Sequence, residues 1–196
     1  MKVKICGITN LEDALDAINA GADALGFVFY EKSPRYIEPF KAREIVKALP
    51  PFIQTVGLFV NENSSFINQV CTNAKMQLAQ IIDDDNYTDF VSLNYKYINV
   101  VRAKSERDIV ENQDNYVLVD AFVESFGGEG KRVALEWFKH VDCSKIVIAG
   151  GLTENNLEEL KGFNFYGVDV SSGVEASKGK KDKQKMINFV KAVNEI

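Results

Sequence analysis

Eight short, β-prone apolar runs recur along this chain, beginning near Lys2, Ala24, Gln54, Gln77, Tyr97, Tyr116, Lys145 and Tyr166. Several are almost unbroken, among them Leu25 to Phe29, Tyr116 to Val119 and Ile146 to Ala149. A strand with one wet face alternates apolar and polar residues, whereas a strand covered on both faces reads as a continuous apolar run. The pattern therefore asks for a parallel sheet with helices against it.

Helical faces lie between the runs. Leu11, Ala14, Leu15 and Ile18 share one face, with a capping-box pattern at Thr9 and Glu12 and a stop at Gly21. Ala42, Ile45, Val46 and Leu49 repeat the spacing before Pro50-Pro51, and Ile67, Val70, Cys71 and Ala74 make a third face. Met186, Phe189, Val190 and Val193 form the last. Thr88 to Leu93 and Ser105 to Val110 leave room only for short helices, and Asp83-Asp84-Asp85 reads as a solvated loop. Eight such units without a linker predict an α/β protein, a compact, single (β/α)8 (TIM) barrel in which residues 1–196 form one domain. The rival is an open Rossmann-type sheet. Its G-x-G-x-x-G fingerprint should follow the first strand, where Cys6-Gly7-Ile8-Thr9 stands instead.

Composition narrows the partners. Hydrophobic residues at 46% and charged residues at 26% are ordinary for a soluble domain. A net charge of −5 with no Lys/Arg run argues against nucleic acid, and no apolar stretch reaches membrane-spanning length. The densest basic stretch, Lys178 to Lys185, reads as a solvated loop and helix start. Cys6, Cys71 and Cys143 lack metal-ligand spacing, so free thiols in a cytoplasmic protein are expected. His140, beside Lys139, reads as a surface residue.

The chemically suggestive residues mostly follow strands. Cys6, Arg35, Asp120, Gly150-Gly151 and Ser171-Ser172-Gly173 all do so, and in a (β/α)8 barrel those positions converge on one face, where active sites form. Glycines admit an anion close to the backbone, and the loops after strands seven and eight commonly hold a substrate phosphate. Gly150, Gly151, Ser171, Ser172 and Gly173 are therefore candidate phosphate contacts. Gly127-Gly128-Glu129-Gly130-Lys131 does not satisfy the phosphate-loop pattern of nucleotide-binding proteins. It reads as a loop beside the substrate, with Gly128 among the contacts. A buried carboxylate at Asp120 needs a partner, solvent or a task. Together with the Cys6 thiol it could serve as an acid/base pair.

These motifs resemble those of the phosphoribosylanthranilate isomerase family, which acts in tryptophan biosynthesis. The resemblance is carried by Lys4-Ile5-Cys6-Gly7-Ile8-Thr9, Ser33-Pro34-Arg35-Tyr36-Ile37 and Val119-Asp120-Ala121 with the glycine loop and Trp137. It continues through Ala149-Gly150-Gly151-Leu152 with Asn156, Val168 to Glu175, and Gly179-Lys180-Lys181-Asp182, spanning the chain in order. It implies an Amadori rearrangement without metal or organic cofactor, acting on a small phosphorylated substrate, in a monomer or homodimer. It further implies Asp120 as general acid on the furanose oxygen, Cys6 as general base at C2, and Arg35 near the anthranilate carboxylate. For Arg35 the alternative is an ion pair on the surface of a turn. Two positions depart from the family pattern. The fourth strand ends in Gln80-Ile81-Ile82-Asp83, or in register one unit earlier Gln77-Leu78-Ala79-Gln80, without the family's histidine. Glu129 replaces a small hydroxyl residue and is expected to point outward. Two rivals remain. One is the related aldose–ketose isomerase of histidine biosynthesis, which uses aspartates at both catalytic strand ends. The other is a non-catalytic phosphosugar-binding barrel, in which the Cys6/Asp120 pair should be broken.

Overall fold

The computed structural model describes residues 1–112, 114–121 and 132–196. Its strands are β1 (Lys2–Cys6), β2 (Ala24–Val28), β3 (Gln54–Val60), β4 (Leu78–Ile82), β5 (Lys96–Ala103), β6 (Val117–Ala121), β7 (Ile146–Ile148) and β8 (Gly167–Val170). Each pairs in parallel with the next, and β8 returns to β1 with Lys4 opposite Asp169, closing the barrel. The open-sheet rival is thereby excluded.

Alternation along each strand divides the side chains between two environments. Val3 and Ile5, Leu25 and Phe27, Ile81, Val117 and Val119, and Val168 face outward into the main hydrophobic core, where the helices cover them. The intervening residues point into the barrel. This double burial is why the strands read as continuous apolar runs.

The covering helices are α1 (Leu11–Ala20), α2 (Pro39–Lys47), α3 (Ser64–Ala74), α4 (Glu106–Val110) and α5 (Lys183–Glu195). The fourth unit is shorter than a helix, with only a 3-10 turn at Phe90–Ser92, and the seventh has a 3-10 turn at Leu157–Leu160. In α3 and α5 the buried faces are the expected ones: Ile67, Val70, Cys71 and Ala74, then Met186, Phe189, Val190 and Val193. No described helix is long and apolar enough to cross a membrane.

Three local expectations need correction. The cap of α1 is Asn10, whose side chain accepts from the Asp13 amide, while Thr9 donates instead to the Gly179 carbonyl. The buried face of α1 is Asp13, Ala14 and Ala17, leaving Leu11 and Leu15 exposed. The reason is that Asp13 takes hydrogen bonds from the Lys181 amide and the Lys180 ammonium, which draw it inward. The Lys178 to Lys185 stretch includes the expected helix start, at Lys183, but the part before it is not a plain solvated loop. It contains β10 (Lys180–Lys181), antiparallel to β9 (Glu175–Ser177), and the Lys181 side chain is fully buried. His140 is exposed, as expected.

Candidate active site

A cavity of about 410 Å3 opens at the C-terminal ends of the strands. Cys6, Arg35, Asp120, Gly150, Gly151, Ser171, Ser172 and Gly173 all line it. Among the proposed contacts only Gly128, with the rest of the Gly127–Lys131 loop and Glu129, lies outside the described residues.

Cys6 ends β1 and is buried, pointing inward across Gly26 of β2. A Cβ at Gly26 would lie 2.7 Å from the Cys6 Sγ, so glycine there makes space for the thiol. Asp120 projects from β6, which pairs with β5 and β7 and is not adjacent to β1. Its Oδ1 accepts a hydrogen bond of 2.8 Å from the Ala121 amide. Burial pushes its carboxyl up to about 6, the Ala121 bond opposes that shift, and the neighbouring Asp169 carboxylate adds to it. Arg102 and Lys4 pull weakly the other way. Asp120 is thus an acid that retains a proton well above the ordinary carboxylate range. The other two cysteines are core residues: burial pushes Cys71 up to about 12 and Cys143 to about 11.

The loops after β7 and β8 interlock. Gly150 and Gly151 adopt φ of 90° and 62°, a region that disfavours side chains. Asn156 clasps this turn, donating to the Gly151 carbonyl and accepting from the Thr153 amide. Gly173 presses against the same turn so closely that a Cβ there would fall 1.9 Å from the Leu152 carbonyl oxygen. The two turns form one surface only because residue 173 has no side chain.

Arg35 is not on a turn surface. Its Nε and Nη2 donate to both carboxylate oxygens of Glu175 at 2.7 and 2.8 Å, and the pair is buried. Lys181 donates to the same carboxylate and to the Ser171 carbonyl and hydroxyl. Burial opposes the charge of Glu175, but Arg35 and Lys181 outweigh it and hold its carboxyl below the usual value. The network ties the loop after β2 to the turn after β8.

The cavity is also lined by Gln80, Asp169, Tyr30, Lys32 and Lys178, which the sequence did not mark as site residues. Period-two alternation could have found two of them. Gln80 shares a strand face with Ile82, and Asp169 shares one with Ser171. At the fourth strand end Gln80 and Ile82 both line the cavity. Among the described residues no cluster of His, Cys, Asp and Glu could hold a metal ion.

A closed eight-stranded parallel barrel with an acid, a thiol and glycine-rich turns around one strand-end cavity has the architecture of a (β/α)8-barrel enzyme. The comparisons specify which. The family model for N-(5'-phosphoribosyl)anthranilate isomerase matches residues 3–192. An N-(5'-phosphoribosyl)anthranilate isomerase from Nitratiruptor sp. is 62% identical over 190 residues, covering 97% of each chain. The structure of monomers generated from the dimeric enzyme of Thermotoga maritima superposes with a TM-score of 0.84 at 33% identity, covering all of both chains. A phosphoribosylanthranilate isomerase bound to reduced 1-(o-carboxyphenylamino)-1-deoxyribulose 5-phosphate superposes at 0.82 with 36% identity, again covering both chains fully. This chain belongs to the N-(5'-phosphoribosyl)anthranilate isomerase family.

Proposed function

We propose that this chain isomerises N-(5'-phosphoribosyl)anthranilate to 1-(2-carboxyphenylamino)-1-deoxyribulose 5-phosphate, a step of tryptophan biosynthesis. It would do so as one barrel domain spanning residues 1–196, cytoplasmic, and a monomer or homodimer. Family membership supports the reaction, and the reduced product bound to a 36% identical relative supports the ligand class. The observation that carries the division of labour is the placement of Cys6 and Asp120 on β1 and β6, non-adjacent strands facing one cavity.

Asp120 begins as the carboxylic acid. It donates its proton to the furanose ring oxygen as the C1–O bond breaks, and the anthranilate nitrogen lone pair forms the C1=N iminium. Cys6, as thiolate, removes the C2 proton, and the electron pair flows through C1=C2 to the nitrogen, neutralising it. The resulting enol tautomerises, carbon 1 gaining a proton and the C2 hydroxyl losing one, to give the ketone. No atom is lost and no cofactor is required. Backbone amides of the interlocked Gly150-Gly151 and Ser171-Ser172-Gly173 turns would cradle the phosphate. Arg35 and Lys181 share the one Glu175 carboxylate, so positive charge is left over, and Arg35 would face the anthranilate carboxylate. Gly128 would contribute from the loop after β6. Cys6 favours this reading over the histidine-pathway isomerase, and the intact acid/thiol pair favours it over a non-catalytic barrel.

Deuterium at substrate C2 separates the two roles. Where proton abstraction limits, as in a crippled Cys6 variant, kcat should carry a clear isotope effect. In Asp120→Asn, limited at ring opening, the effect should be small. Equal, large effects in both variants would overturn the assignment.

A further inference from the structure

Lys4 and Asp169 are charged side chains inside the barrel that take no part in this scheme. Lys4 lies two residues before Cys6 on β1, and Asp169 two residues before Ser171 on β8, so alternation sends both inward. They are register partners, and Lys4 Nζ stands 2.7 Å from Asp169 Oδ1, with both side chains nearly sealed from solvent. Burying such a pair is costly, and apolar replacements of similar volume are often neutral or stabilising. Stability alone is therefore a poor reason for its presence.

Its position offers another. The point where a Gly26 Cβ would sit is 2.7 Å from Cys6 Sγ and 3.1 Å from Lys4 Cε, so the charged end of the lysine runs beside the thiol. Asp169 lines the cavity together with Asp120. Resting on the catalytic roles assigned above, we propose that the Lys4–Asp169 ion pair is a positioning device that fixes where the site's one mobile proton rests. The ammonium beside Cys6 disfavours a proton there, and the second carboxylate in the cavity favours one on Asp120.

The electrostatics are those of one proton with two seats. Thiolate with carboxylic acid and thiol with carboxylate carry the same net charge, so a uniform field does not distinguish them. A dipole with its positive end at one seat and its negative end at the other does. Asp120 is raised chiefly by burial and lowered by the Ala121 amide, and Asp169 adds to the rise. Burial opposes the charge on Lys4, but Asp169 and Cys6 outweigh it and hold the ammonium above its usual value. Among the described residues the other charges facing Cys6 are Arg35 and Lys181, both engaged with Glu175. Among the described residues the other charge facing Asp120 is Arg102, which pairs with Asp84.

The test reads thiolate absorbance in the ultraviolet against pH in the free enzyme, together with the pH profile of kcat/KM. Cys71 and Cys143, pushed up to about 12 and 11, contribute little thiolate near neutrality. Lys4→Gln removes the charge while keeping a donor for Asp169. The double variant Lys4→Gln/Asp169→Asn replaces the pair with a neutral one should the single variant fail to fold. In either, the thiolate titration and the acidic limb of kcat/KM should move up by roughly one pH unit or more, the scale of losing a close opposite charge. At pH 7 kcat/KM should fall about tenfold, mostly in kcat. In Asp169→Asn the basic limb should move down. Folded variants with the wild-type absorbance titration and unmoved limbs would overturn the proposal and leave the pair merely structural. The absorbance needs no substrate, so wild-type inactivity on phosphoribosylanthranilate would count against the proposed reaction and not against the ion pair.

Discussion

At the scale of single residues, Cys6 and Asp120 have opposite requirements. Cys6→Ala should lower kcat by about 10²-fold or more, the lower scale for removing a general base, with an unchanged unfolding curve. A folded Cys6→Ala variant with near wild-type kcat would remove the base assignment. Asp120→Asn keeps the shape of the side chain and removes its acid proton. Steady-state kinetics should show kcat lowered by several orders of magnitude and KM little changed, the mark of an interaction made mainly in the transition state. The raised carboxyl of Asp120 also has a consequence for stability. Its folded value of about 6 lies above the ordinary 3.8, so folding favours the protonated form. The wild type is then least burdened at pH below about 4, and loses stability relative to Asp120→Asn as pH rises through 6. The total is about 2–3 kcal/mol. Denaturant titrations of both proteins at pH 4 and pH 8 measure it, and a pH-independent difference would show that the carboxyl is not strained.

At the scale of elements, the turns after β7 and β8 act as one unit. Gly173→Ala would drive a Cβ into the Leu152 carbonyl, a backbone atom that cannot swing aside. It should weaken competitive inhibition by inorganic phosphate and raise KM by about tenfold or more, roughly 1.4 kcal/mol of binding. Unchanged KM and phosphate inhibition would mean that these turns do not hold the phosphate. Both turns were legible in the sequence because glycine and serine clusters after apolar runs have few other readings. The strand starts were legible for a similar reason, since strands buried on both faces leave long apolar runs. The start of α1 was not, because Thr9 and Asn10 are both competent caps and only the distant Gly179 carbonyl, taken by Thr9, decides between them. Lys181 and Glu175 were illegible too. A lysine among lysines reads as solvated until tertiary structure brings it a buried carboxylate. Arg35 shows the same limit, as its partner Glu175 is 140 residues away.

At the scale of the whole molecule, the barrel is held shut by outward-facing strand residues and the helices over them, while its interior carries the charges that chemistry needs. The two should therefore separate experimentally. Phe189, fully buried on α5, packs in the outer core away from the cavity lining. Phe189→Ala should cost about 3–5 kcal/mol of stability, while kcat at a temperature where the variant remains folded stays near wild type. A selective loss of kcat without loss of stability would contradict that separation. The central claim is the isomerisation itself. Phosphoribosylanthranilate can be generated in situ from anthranilate and a phosphoribosyl donor, and its disappearance followed by fluorescence. The wild type should consume it, with product identified as the 1-deoxyribulose 5-phosphate derivative, whereas Asp120→Asn should leave it to its spontaneous decay. Purified, folded wild-type protein that leaves the substrate decaying at the uncatalysed rate would contradict the account.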